Sequence, residues 1–188
     1  VVGLGAYTSV VTRGGLHLKN TDVAITTGNS YTVVAAVDSV YKAVTELGTN
    51  LNEATIAVVG ATGAIGRATA ILLAEEVNRL ILVGNPARPE QTRKRLLKVA
   101  EDICRYLALL VQEGKSFREG TLGRAMLALG PAPSPESDQE LFRGLVEALE
   151  REDRLVITTD IDAMLPQADL VVTATSRVGD LVTPDNLK

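Results

Sequence analysis

The sequence predicts an α/β protein built on a doubly wound parallel sheet, and three observations carry that expectation. Thr55–Val59 (TIAVV) and Leu80–Val83 (LILV) are nearly continuous apolar runs, as strands buried on both faces of a sheet require. Between them, Gly60-Ala61-Thr62-Gly63-Ala64-Ile65-Gly66 follows the first run without a gap and opens an amphipathic segment. Strand, glycine turn, helix, strand is one βαβ unit, whose crossover is right-handed. Further helical stripes then alternate with Leu155–Thr158 and Asp169–Thr175, which read as two more strands.

In chain order, residues 2–12 are rich in Val and Thr and predict a strand or buried extended segment. Arg13-Gly14-Gly15 turns the chain, and Val23–Thr26 fits a short second strand. Asn29 and Ser30 suit a helix N-terminus, and Val33, Val37, Val40, Val44 and Leu47 recur at helical spacing until Gly48. The helix that opens at the glycine turn is expected to run to about Asn78. After Gly84-Asn85-Pro86, the longest helix spans about 89–112, with Pro89 in its first turn and Leu96, Ala100, Ile103, Leu107 and Leu110 as its stripe. Gly114 and Gly120 end it, Met126–Leu129 fits another short helix, and Pro131, Pro133 and Pro135 mark a flexible surface turn. Ser137 with Glu140 has the spacing of a capping box, predicting a helix to about 151 with Leu141, Leu145 and Leu149 inside. Ala163–Gln167 is a short connection to the last strand.

Composition removes several function classes. In 188 residues there is one Cys and one His, which excludes an internal disulfide and the usual zinc sets. A net charge of −4 gives no basis for bulk nucleic-acid affinity, and 3% aromatics with no Trp leaves no stacking platform. No apolar run has the roughly 20 residues of a membrane span, so no integral membrane contact is expected. The chain opens on Val1-Val2-Gly3 without a signal or transit pattern and closes eight residues after Asp180, so it reads as a piece of a longer cytoplasmic protein.

The chemistry concentrates at the glycine turn. Gly60, Gly63 and Gly66 form GxxGxxG, a relative of the dinucleotide fingerprint GxGxxG. A turn without side chains lets backbone N–H groups approach a pyrophosphate, and the helix N-terminus beginning near Ala64 favours the anion. Cofactor-binding residues are therefore expected at Gly60, Thr62, Gly63, Ala64, Ile65 and Gly66. NAD sites place Asp or Glu after the second strand, for the ribose hydroxyl. Here Gly84-Asn85-Pro86-Ala87-Arg88 has none, and Asn85 and Arg88 instead offer an amide and a guanidinium fork to a 2′-phosphate, which points to NADP(H). Arg93, Lys94, Arg95 and Lys98 read as the solvated side of the long helix. Cys104 falls on that helix's apolar stripe and reads as a buried small hydrophobe, and His17 as a surface residue. At Thr26-Thr27-Gly28-Asn29, Gly28 can turn left-handed, and Thr27 or Asn29 could donate to a substrate carbonyl or amide; equally, Asn29 could be only a helix cap.

Five segments together resemble the long-chain fatty acyl-(acyl-carrier-protein) reductases of the cyanobacterial type: GLGAYTSVVT at 3–12, ITTGNSYT at 25–32, AVVGATGAIG at 57–66, LILVGN at 80–85 and ADLVVTATS at 168–176. The resemblance implies an NADPH-dependent enzyme that reduces an acyl thioester, on acyl-carrier protein or coenzyme A, to a fatty aldehyde through a cysteine nucleophile. It favours Thr27 and Asn29 as a catalytic site and places Ala174, Thr175 and Ser176 at the nicotinamide side of the cofactor. It also implies a division into residues 1–30, the edge of a catalytic lobe, and 31–188, a Rossmann-like NADP(H)-binding domain. Residues 113–150 have no counterpart in the family and look like a helical insertion, and the family's nucleophilic Cys lies beyond the last matching segment. Amino-acid and shikimate-type dehydrogenases share the layout, so a carbonyl or imine dehydrogenase without a covalent step is the alternative, and an NADP(H)-sensing module a third.

Overall fold

The computed structural model describes residues 1–5, 8, 11–12, 15, 17–18, 22–175 and 183–184. Two short strands, β1 (Val2–Gly3) and β2 (Ile25–Thr26), pair in parallel as a small separate sheet. Helix α1 (Asn29–Leu47) leads into β3 (Thr55–Val59), α2 (Ala64–Leu73) and β4 (Arg79–Val83). Three helices follow, α3 (Pro89–Gln112), α4 (Leu122–Ala128) and α5 (Gln139–Arg151), before β5 (Leu155–Thr158). A short α6 (Ile161–Met164) and a 3₁₀ turn then cross to β6 (Leu170–Thr173).

Strands β3 to β6 form one parallel sheet in the order β5-β4-β3-β6. The chain therefore steps outward from β3 to β5 and returns to the opposite side of β3. That reversal makes the carboxyl ends of β3 and β6 the switch point of the fold. Side chains alternate across the sheet: Ile56 and Val58 enter a large core with α1 to α5, while Ala57 and Val59 pack on Ile81, Val83 and Leu165 on the other face. At the base of the sheet, Thr55 N–H donates to Asp169 Oδ2 at 2.7 Å and Asp169 N–H to Thr55 O at 2.9 Å, which locks β6 beside β3.

Several expectations need correction. The segment 2–12 is not one strand: β1 stops at Gly3, Thr8 and Val11 are helical, and Thr8 and Thr12 hydroxyls donate to the Gly5 and Thr8 carbonyls. Helix α2 ends at Leu73 rather than near Asn78, because Glu76 and Val77 turn the chain back to β4. Asn29 is the first residue of α1, not its cap; the cap is Gly28 in the left-handed conformation at φ 70°. Helix α5 starts from Asp138 with no side-chain cap bond, so the Ser137–Glu140 capping box does not form. Its buried stripe is Phe142, Val146 and Leu149, and Leu141 faces outward at 52% exposure.

Helices α4 and α5 belong to the main core. Leu122, Met126, Phe142, Val146 and Leu149 are buried within it. Thr121 Oγ1 caps α4 by accepting from Arg124 N–H at 3.2 Å, and Leu122 N–H donates to Val77 O at 2.7 Å. Arg105 lies 4.2 Å over the Phe142 ring and donates to the Pro135 carbonyl, so the proline turn is held against α3. Truncating a fully buried Phe costs about 3–5 kcal/mol. Phe142→Ala should lose about that much in urea unfolding, whereas a peripheral appendage would lose under about 1 kcal/mol.

Candidate functional site

A cleft of about 470 Å³ opens at the carboxyl ends of β3, β4 and β6. Its position follows from pairing that continues past the strand ends: Ala174 N–H donates to Val59 O at 2.8 Å, Gly60 N–H to Val83 O at 2.9 Å, and Gly84 N–H to Thr158 O at 3.0 Å. Gly60, Thr62 and Gly63 line one wall, Gly84, Asn85 and Pro86 a second, and Ala174 and Thr175 a third. Val59, Val83, Ile161 and Arg95 complete it.

The glycines of the turn serve different ends. Gly60 has φ +83°, and a Cβ there would sit 2.5 Å from the Ala174 carbonyl oxygen. Gly66 packs α2 directly on the turn, and its Cβ would lie 2.5 Å from the Gly60 carbonyl oxygen. Both are demanded by the backbone. Gly63 is less constrained: its φ of −79° suits any residue, but a Cβ would press on the Gly60 carbonyl oxygen at 3.3 Å, which would have to give by a few tenths of an ångström. Gly63 is the N-cap of α2 and carries no side-chain cap, so the N–H groups of Ala64, Ile65 and Gly66 lie ahead of the first helical bond, Arg67 N–H to Gly63 O.

Beyond β4, Asn85 Oδ1 accepts from Ala87 N–H at 2.9 Å and its carbonyl from Thr92 Oγ1 at 2.9 Å, which shapes the loop around the cleft. Arg88 is exposed at the N-cap of α3 and does not line the cleft. Arg95 does, and its Nη2 donates to Thr62 O at 3.3 Å. Sequence periodicity puts Arg95 on a solvated face and overlooks it. The missed signal is its spacing of seven residues, two helical turns, from Arg88. Arg93, by contrast, is structural, bonded to Ile157 O at 3.1 Å and to Glu150 at 3.5 Å. Among the described residues, Arg95 is the one ionisable side chain lining the cleft, and it has no carboxylate partner there. Unpaired helix N–H groups and an unneutralised guanidinium at one opening can hold a phosphate-bearing ligand.

Thr27 and Asn29 sit at the start of α1, where Thr27 Oγ1 accepts from Asn29 N–H at 3.3 Å, and neither lines this cleft. Ser176 lies outside the described residues. Cys104 is buried in the α3 face of the core, and burial, with Glu101 nearby, pushes its thiol up to about 12. His17 is exposed. No group of three or more His, Cys, Asp or Glu side chains fit for a metal ion occurs among the described residues. No described helix is long and apolar enough to cross a membrane. No protein-family model matches the chain, and a search of curated proteins finds no match either.

At pH 8 a thiol with a pKa near 12 is essentially all protonated, and the thiolate is the species that reacts. Cys104 should therefore resist a disulfide reagent in the native protein and label fully in denaturant. Labelling as fast as a free thiol at pH 8 would show that the side chain is accessible.

Proposed function

We propose that this chain is the NADP(H)-binding portion of an oxidoreductase and that the switch-point cleft receives the dinucleotide. The observation that carries this is Gly63. The fold requires glycine at Gly60 and Gly66, where a Cβ would meet backbone at 2.5 Å; at Gly63 the contact is a milder 3.3 Å with the Gly60 carbonyl oxygen, and Gly63 itself lines the cleft beside the α2 N-terminus. Keeping that position bare serves a ligand.

The N–H groups of Ala64, Ile65 and Gly66 would hold the pyrophosphate, with Gly60 and Thr62 closing the turn beneath it. Asn85 and Arg95 would take the 2′-phosphate, and Arg88 stands outside them on the same loop. Among the described residues the cleft offers a cation and no acid after β4, the arrangement that favours NADP(H) over NAD(H). Ala174 and Thr175 border the nicotinamide end. The bound dinucleotide supplies reducing equivalents; the protein binds it, orients it and limits the access of water.

Calorimetric titration with NADPH and NADH tests this. The native chain should bind NADPH the more tightly. Arg95→Ala removes a charged bond worth about 1.5–3 kcal/mol, and so should weaken NADPH about tenfold to a hundredfold while leaving NADH unchanged. Gly63→Val should abolish binding of both cofactors while lowering the melting temperature less than Gly60→Val or Gly66→Val, whose Cβ atoms would meet backbone at 2.5 Å rather than 3.3 Å. Equal affinities for NADPH and NADH in the native chain would end the NADP(H) assignment.

The substrate class rests on the resemblance to acyl-(acyl-carrier-protein) reductases. Thioester reduction by that family's route needs a thiolate beside the nicotinamide, and Cys104 is buried in the core with its proton held. We infer that this chain supplies cofactor binding to the reaction and that Cys104 takes no part in acyl transfer. Incubated with a long-chain acyl-coenzyme A and NADPH, the chain should show no acyl adduct at Cys104 by mass spectrometry. Aldehyde formation that is lost in Cys104→Ser would overturn that assignment.

A further inference from the structure

Thr92, at the end of the first turn of α3, grips the step from β4 into the loop beside the cleft. It is 7% exposed and does not line the cleft itself. Its two branches have different partners. The methyl group packs on Gly84, where a Cβ would lie 2.2 Å from Thr92 Cγ2, so there is no room for one. The hydroxyl donates to the Asn85 carbonyl at 2.9 Å, and Thr92 N–H donates to the Arg88 carbonyl at 2.9 Å. A β-branched side chain has few χ1 choices in a helix, so holding both residues at once fixes where the loop leaves the sheet. The consequence falls on Asn85, which lines the cleft. An N–H group bonds oxygen, so Ala87 N–H at 2.9 Å sets the Asn85 amide with Oδ1 toward the loop. The side chain is left with Nδ2, which has no bond among the described residues. Asn85 therefore brings two donors to the cleft with its oxygen already engaged. A phosphate, which only accepts, suits such a group; ribose hydroxyls, which a carboxylate holds by accepting from them, gain little.

We propose that Thr92 is a positioning residue that sets the preference for a 2′-phosphate by anchoring the Asn85 backbone, without touching the ligand. The inference rests on the cofactor reading of the cleft and adds to it a buried residue that discriminates between the two dinucleotides. Without the hydroxyl, the Asn85 carbonyl loses its partner inside the loop. The peptide is then free to rotate, and the amide donors leave the place where the Ala87 bond holds them. The pyrophosphate contacts at the α2 N-terminus lie on another wall of the cleft and are unaffected, so the loss falls on the ligand that carries the 2′-phosphate.

Two conservative variants separate the branches. Thr92→Val keeps the methyl on Gly84 and removes the hydroxyl; Thr92→Ser does the reverse. In calorimetric titrations Thr92→Val should weaken NADPH about fivefold, the size of one ordinary hydrogen bond, and leave NADH within about twofold. Thr92→Ser should keep the native ratio of the two affinities, although its melting temperature falls with the lost packing. In an Asn85→Ala background Thr92→Val should cause no further loss of NADPH affinity, because the side chain through which it acts is gone. A threonine with a merely structural role would weaken both dinucleotides together, with Thr92→Ser as poor as Thr92→Val. That result, or an unchanged preference in Thr92→Val, would overturn the proposal and leave the cofactor assignment standing. A native chain that binds neither dinucleotide, or both equally, would end both.

Discussion

The contact on which the rest of the structure depends is backbone laid on backbone at the end of β3. Gly66 in the first turn of α2 rests against the Gly60 carbonyl, and Gly60 rests against the Ala174 carbonyl, each with no room for a methyl group. These approaches fix the height of α2 above the sheet and bring the end of β6 beside the end of β3. The height matters because Thr69, Ala70 and Leu73 can then reach the core, where small residues and one Leu fill the space under the helix. The lateral closeness matters because it places three strand ends and one helix N-terminus around a single opening. Stability and the candidate site thus rest on the same two glycines.

Charge in and around that opening is arranged by what is already paired. The chain carries a net charge of −4, yet among the described residues the cleft has a guanidinium and no carboxylate in its lining. Several arginines of the α2 and α3 surfaces are tied down: Arg67 to Asp102 at 2.7 Å, Arg93 to Glu150 and the Ile157 carbonyl, and Arg105 to the Pro135 carbonyl. Arg95 is held by one long bond to the Thr62 carbonyl. A cation so weakly engaged, on the glycine turn itself, keeps most of its donors for an incoming anion. This is a local property of pairing, which net charge does not report.

The same distinction explains what the sequence reveals and what it hides. The β3–turn–α2–β4 unit is legible because each part carries its own local signal: apolar runs, glycines forced by close approach, and a strand of matching length. Its parallel partner β6 is legible for the same reason. Arg93 and Arg95 look alike in sequence, two positions apart on a basic helix, but one points to Glu150 on a helix more than fifty residues later and the other to the glycine turn. No local pattern contains that difference. The Leu141 and Phe142 exchange has a similar origin. Either residue extends a helical stripe with Leu145 and Leu149, and the choice is made by Arg105 and the α3 surface, which receive the Phe142 ring. At the N-terminus, Val and Thr favour a strand by propensity. Hydroxyl bonds from Thr8 and Thr12 back to carbonyls three and four residues earlier favour a helical turn instead.

Helix α3 joins these features into one mechanical unit. Its first two turns carry Arg88, Arg93 and Arg95 around the sheet edge, its middle packs Leu96, Ile103 and Leu107 into the core, and Glu101 receives Gln139 and Arg143 from α5. Arg93 closes the circuit by bonding the end of β5 and Glu150 near the end of α5. The α4–α5 segment is therefore bound to the very helix that presents Arg95, at both of its ends and along its buried face. Removing it would strip the outer side of α3 of Phe142, Val146 and Leu149 and leave Glu101 buried without its partners, a cost charged to the element that shapes the cleft. A segment that looks like an insertion when the chain is read in order is, in three dimensions, the support of the wall on which the candidate phosphate site is built.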